Sequence, residues 1–233
     1  MKKPQTENGS SPANNELNAR PEKVMELFKG FEQSQNLARQ IGFILEIDKL
    51  KQIWRQTPLL DRSRKENDAE HSWQLALMAV VLAEYAPNGT DMMRVIKMLL
   101  IHDIVEIDAG DNPAFSGTSD IEQQKAEEKA ADRLFGILPS TMADEFRELW
   151  EEFEAIKTNE AMFARSIDRF QPFLHNYFTE GHMWIEHKIH AEQVQKRSEI
   201  IGKTSPQLHK IVELMISDAV AKGYLINAPH KSD

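Results

Sequence analysis

The chain has 233 residues, of which 41% are hydrophobic, and 28 Lys and Arg against 37 Asp and Glu give it a formal net charge of −9. That length and apolar content suit one large domain with a substantial core, and the acidic field disfavours extended nucleic-acid binding while leaving room for a small phosphate ligand in a local basic pocket. The absence of cysteine excludes disulfides and zinc–thiolate sites, no apolar run is long enough to span a bilayer, and Met1-Lys2-Lys3 leads into polar residues rather than a signal-peptide core, so a cytoplasmic protein is expected.

In chain order, residues 1–20 are rich in Asn, Ser, Pro, Glu and Gly and are expected to form a disordered tail, with the folded domain over 21–233. Pro21 begins a helical pattern. An amphipathic helix is predicted over Gln40–Trp54, with Ile41, Ile44, Leu45, Ile47 and Leu50 on its apolar side, interrupted at Thr57-Pro58. The basic run Asp61-Arg62-Ser63-Arg64-Lys65 reads as a loop. Asn67 and Glu70 have the spacing of a capping box, so a helix starts there and continues through the apolar stretch from Trp73 to Ala83. After the turn at Pro87-Asn88-Gly89-Thr90, Asp91 is a cap for a helix running into His102. A loop over Asp111–Asp120 precedes a capping box at Ser119 and Glu122 and a charged, Ala-rich helix ended by Leu138-Pro139. The next helix carries Phe146, Leu149, Trp150, Phe153 and Ile156. Thr158 opens a helix containing Asp168 and closed by Gly181, and Ser205-Pro206 caps the last helix, which stops at Gly223. No internal repeat and no convincing strand is found, so the fold class is all-α.

Two segments carry chemistry. In His102-Asp103-Ile104-Val105-Glu106, helical spacing would crowd His102, Asp103 and Glu106 onto one patch, behind the apolar run Val95–Ile101. Burying these three together is costly unless they are paired or bind metal. A mixed N/O donor set suits a divalent transition ion. In Asn67-Asp68-Ala69-Glu70-His71-Ser72-Trp73, Glu70 complements the helix dipole. A cationic His71 would oppose that dipole, and a neutral metal-bound imidazole would not. Asp168 lies within an apolar helix, where it faces either a metal or a buried salt bridge with Arg165 or Arg169. His71, His102 and Asp103 alone leave a metal under-coordinated, which favours Asp168 as a fourth ligand.

These segments resemble the HD-domain metal-dependent phosphohydrolase superfamily, whose pattern of a His, a His-Asp doublet and a distant Asp falls on His71, His102, Asp103 and Asp168. The closer resemblance is to its 5′-deoxynucleotidase-like branch, through Arg55, Asn67–Ser72 and His102–Asp111, and it covers roughly residues 37–180, leaving C-terminal helices over 181–225. It implies a helical bundle around one buried divalent ion (Mn, Co, Fe, Ni, Zn or Mg), hydrolysis of a nucleoside or deoxynucleoside 5′-monophosphate to nucleoside and phosphate, and a homodimer. Glu106 would orient or deprotonate the attacking water and Asp111 would assist the leaving group. Arg55 would contact phosphate, with Arg62 and Arg64 as further candidates for a bidentate clamp. His175, His182, His187 and His190 read mostly as surface or core residues, with a substrate-lining role open for His175 or Trp184.

Rival readings are another hydrolase of the superfamily, an oxygenase with a second iron, and a helical interaction module without turnover. A guanosine-tetraphosphate hydrolase commonly has Asp where Ile107 stands, and the Gly-Tyr-Pro signature of cyclic-nucleotide phosphodiesterases is absent.

Overall fold

A computed structural model describes residues 20–30, 34–111 and 120–227. The expectations for the N-terminal tail and for a cap at Ser119 lie outside these residues. Helix α1 (Arg20–Leu27) packs against α2 (Gln35–Glu46). The amphipathic segment is not one helix to Trp54: α2 ends at Glu46 and tightens into a 3-10 turn over Ile47–Gln52.

The absence of strands also needs correction. β1 (Trp54–Pro58) pairs antiparallel with β2 (Lys65–Asn67), Trp54 opposite Asn67 and Pro58 opposite Lys65, with an irregularity between them. Strands this short and charged display no apolar alternation, so the period-2 signal is missing. Their turn holds Arg62 in the left-handed region at φ 58°.

The remaining elements are helical: α3 (Asp68–Val81), α4 (Met92–Ile101), the single turn α5 (Glu106–Ala109), α6 (Asp120–Phe135), α7 (Ser140–Ala155), α8 (Asn159–Phe178), the short α9 (His182–Glu186), α10 (Ala191–Thr204) and α11 (Pro206–Ala221). Local sequence sets several ends. Asp91 accepts from the backbone N–H of Met93 and Arg94, Thr158 from Ala161, and Ser205 from Leu208 ahead of Pro206 at the first helical position. The all-α expectation holds apart from the hairpin, and among the described residues no helix is long and apolar enough to cross a membrane.

Two apolar clusters meet along α8. The first includes Leu75, Met98, Leu99, Phe135, Phe153, Phe163 and Ile167; the second begins at Phe170 and adds Phe173, Trp184, Ile201 and Val212. Each fully buried Leu or Phe contributes about 1.5–3 kcal/mol of transfer free energy. Asp168 therefore sits at the seam between them. α8 ends at Phe178, three residues before the expected stop. Gly181, at φ 70°, follows it at a close approach where a Cβ would stand 2.5 Å from Tyr224 Cβ.

Candidate metal centre

The N-terminus of α3 is closed by the expected capping box: Glu70 N–H donates to Asn67 Oδ1 at 3.0 Å and Asn67 N–H to Glu70 Oε2 at 3.3 Å. This holds His71 in the first turn, where its ring is fully buried. α4 delivers His102 at its C-terminal end. The chain does not continue there as one helix: bonds from Ile104 N–H to Ile101 O and from Glu106 N–H to Asp103 O tighten a turn before α5. The shared helical face predicted for His102 and Glu106 is therefore absent. His102 joins His71 and Asp168, whereas Glu106 joins Asp68 and Asp103.

The first group converges closely. His71 Nε2 lies 3.2 Å from Asp168 Oδ1 and 3.9 Å from Asp103 Oδ2. His102 Nε2 lies 3.0 Å from Asp103 Oδ1 and 3.8 Å from Asp168 Oδ1. His102 Nδ1 stands 2.9 Å from Leu99 O, and a carbonyl only accepts, so Nδ1 carries the proton of the neutral ring. Its Nε2 lone pair then points at two carboxylates, buried and without a hydrogen-bond partner. An unsatisfied nitrogen facing anionic oxygens is unfavourable on its own and is the arrangement a divalent cation relieves. The four residues thus fit such an ion, two imidazole nitrogens and two carboxylates being a borderline donor set.

The charges have identifiable causes. Burial opposes ionisation of Asp103, but His102 and Arg55 hold its carboxyl well below the usual range. Burial likewise opposes Asp168, and Arg169, His71 and His102 outweigh it. Both surroundings expected of Asp168 are present: Oδ1 faces the imidazoles, while Oδ2 lies 3.6 Å from Arg165 Nη1 and 3.8 Å from Arg169 Nη1.

Beside this group, Asp68, Asp103 and Glu106 each bring a carboxylate oxygen within 4.8 Å of the others. Burial, the Asp103 charge and Asp68 push Glu106 well above the ordinary range, and burial lifts Asp68 to about 6. Both carboxyls are thus shifted toward their protonated forms. Arg55 donates to Asp68 Oδ1 at 3.1 Å and Asp103 Oδ2 at 2.8 Å, so it braces the centre as well as facing the space before it. Asp111 is raised, chiefly by burial, against the lowering effect of Arg55.

That space is a cavity of about 700 Å³. It is lined by His102, Asp103, Glu106, Asp111 and Asp168, and by the apolar Phe173, Met183, Trp184 and Ile189. Its cations are Arg55, Arg165, Arg169 and Arg197, and the last is lowered to about 10 by burial and by the charge of Arg169. Arg62 and Arg64, expected at phosphate, are not among the described lining residues. Arg62 donates to Thr179 O at 2.5 Å and Glu180 Oε2 at 3.0 Å. Arg64 forks onto Glu70 at 2.8 and 2.7 Å. His175 is buried and bonded away from the cavity, whereas Trp184 and the exposed His187 line it.

Sequence reasoning therefore missed Arg165, Arg169 and Arg197 as cavity cations, and Glu66, Asp68 and Gln171 as buried polar partners. A signal for the first two existed in their spacing of three before and one after Asp168. Nothing local marks Arg197. Pro172, also in the wall, lacks the N–H that would have bonded the Asp168 carbonyl one helical turn back.

The HD-domain family matches residues 47–209. A crystal structure described as a predicted metal-dependent phosphohydrolase from Magnetospirillum magnetotacticum MS-1 is 48% identical, covers 85% of this chain and 98% of its own, and superposes with a TM-score of 0.81. Human 5′-deoxynucleotidase HDDC2 is 27% identical over 136 residues, 58% of this chain; the chain spans 63% of that relative's length, under two thirds. The 5′-deoxynucleotidase YfbR of Escherichia coli O1:K1 / APEC is 25% identical over 198 residues, 78% of this chain and 98% of the relative. This chain belongs to the HD-domain family.

Proposed function

We propose that this HD-domain protein is a metal-dependent phosphohydrolase that converts nucleoside or deoxynucleoside 5′-monophosphates to nucleoside and phosphate. The observation that carries the reading is the convergence of His71 Nε2, His102 Nε2, Asp103 and Asp168 Oδ1 beside a cavity that also holds Arg55, Arg165, Arg169 and Arg197. Such a cavity is of the size that encloses a small ligand. The names of the human and bacterial relatives and of the Magnetospirillum structure support the same class.

His71, His102, Asp103 and Asp168 would hold the ion, which when bound supplies charge neutralisation for the phosphoryl group and an acidified water. The chain's own residues do the rest. Arg169 and Arg197, with Arg165 and Arg55 beside them, set a positive wall for phosphate oxygens. Glu106, beside Asp68 and Asp103, would orient an attacking water and, in its ionised form, take a proton from it. Asp111, raised toward its protonated form, is suited to protonate the leaving sugar oxygen. Trp184 and Phe173 offer apolar, aromatic surface for a base. A homodimer acting in the cytoplasm belongs to the same proposal, and light scattering tests the assembly.

The test of function is phosphate release from a panel of ribo- and deoxyribonucleoside 5′-monophosphates with Mn, Co, Mg or EDTA. Metal-dependent release abolished by Asp103→Ala supports the reading. No release with any metal, from protein holding one ion per chain, overturns it.

A further inference from the structure

Behind the metal centre runs a chain of buried polar side chains that the proposed chemistry does not use. Glu66, on β2, is 1% exposed. Its Oε1 stands 3.5 Å from His71 Nδ1 and 3.6 Å from Arg55 Nε, and all three atoms are buried without a hydrogen-bond partner. Glu66 Oε2 accepts from Gln171 Nε2 at 2.9 Å. The same Gln171 nitrogen lies 3.0 Å from Gln74 Oε1 and 3.1 Å from His175 Nε2. His175 Nδ1 in turn donates to Pro58 O at 3.0 Å.

Asp168, Gln171 and His175 follow one another at i, i+3 and i+7 along α8, which puts them on one face. That face supplies a ligand candidate at one point and grips both strands of the hairpin at the others, β2 through Glu66 and β1 through Pro58. Merely docking a hairpin would be served at lower cost by apolar residues, because a buried carboxylate with an unsatisfied oxygen is destabilising. What a carboxylate at Glu66 adds is direction. An Nδ1–H aimed at Glu66 leaves the Nε2 lone pair of His71 aimed at Asp168 and Asp103, the pattern in which a second carboxylate fixes tautomer and ring orientation of a metal-binding imidazole. Tightening by about 0.5 Å would bring both near contacts to normal hydrogen-bond length.

We infer that Glu66 is a positioning residue that fixes the ring of His71 and the guanidinium of Arg55 together, and that Gln171, backed by His175, holds Glu66 in place. This rests on the reading of His71, His102, Asp103 and Asp168 as the metal site, and it needs no assumption about substrate.

The test is Co²⁺ binding to the full chain, read by competition with a chromophoric chelator and by the visible absorption of the bound ion. Glu66→Gln is expected to weaken Co²⁺ binding about 10–100-fold, the usual effect of losing such a partner, and to change the absorption bands. Gln171→Met should weaken it less, and the double variant should be no weaker than Glu66→Gln, because Gln171 acts through Glu66. Wild-type affinity and spectrum in Glu66→Gln, even with a lowered melting temperature, would reduce the network to a structural one and overturn the inference. If Glu66→Gln does not fold, Gln171→Met decides, and wild-type affinity there overturns it equally. Failure of the unaltered chain to take up Co²⁺ would instead overturn the metal site itself, and this inference with it.

Discussion

Asp168 Oδ1 and His71 Nε2 lie 3.2 Å apart although 97 residues separate them in the chain. Two helices, α3 and α8, must pack in one register to bring them together, and His102 arrives from a third, α4. Such a centre requires every member. His102→Ala removes a nitrogen that has no other bonding partner, and Asp168→Ala removes the oxygen facing both imidazoles. Each is expected to reduce bound divalent metal at least 100-fold in affinity, measured by elemental analysis and calorimetric titration. Full metal content in either variant would contradict the assignment of that ligand.

Metal binding should also be linked to protons. In the metal-free protein, burial and the Arg55 charge push His71 down, but its bond to Asp168 and the nearby Glu66 carboxylate prevail and hold it up at about 9. A group raised from 6.5 contributes stability that is complete below pH 6.5 and is lost as pH climbs through about 9. The metal-free protein should therefore lose about 3 kcal/mol across that window. Glu106, also raised, acts with the same sign. Metal needs the neutral ring, so loading between pH 7 and 8 should release a proton and affinity should rise with pH until about 9. Calorimetry in two buffers of different ionisation enthalpy measures this. Buffer-independent heats with a flat pH profile would rule out the raised imidazole.

The four metal candidates were legible because histidines and carboxylates stand out in apolar helical sequence, and because the box at Asn67 and Glu70 is a purely local signal. The hairpin was not legible. Its strands are five and three residues long and mostly polar, so they carry no alternation. Glu66 reads as one more charge beside Arg64 and Lys65, and only packing against α8 shows it to be interior. The basic run near His71 shows the converse relation. Its arginines are close to the site along the chain, yet the turn directs them to Thr179, Glu180 and Glu70.

Glu106 is expected to separate binding from turnover. It is not in the His71, His102 and Asp168 group, and it stands instead with Asp68 and Asp103. Glu106→Ala should retain the metal yet lower kcat for a nucleoside monophosphate by about 10²–10⁴-fold, the range for removing a positioned acid–base group. His102→Ala should lose both metal and turnover. Metal content and phosphate release measured on the same preparations distinguish the two, and full activity in Glu106→Ala would remove its assigned role.

The cavity arginines set the final contrast. Arg169 lies 3.8 Å from Asp168 Oδ2 and faces the cavity, whereas Arg64 is committed to Glu70 on the surface. On the proposed reading, a substrate phosphate gains charge-assisted bonds from the first and none from the second. Arg169→Met should raise KM for a nucleoside monophosphate, and the inhibition constant of inorganic phosphate, each by about 10-fold or more. Metal content should be largely kept, because Arg169 approaches only the oxygen that faces away from the imidazoles. Arg64→Ala should leave KM and phosphate inhibition unchanged and alter stability by at most about 1 kcal/mol, as expected of an exposed ion pair. Equal effects from the two variants would show that the phosphate does not lie against α8 and that the positive wall serves another purpose.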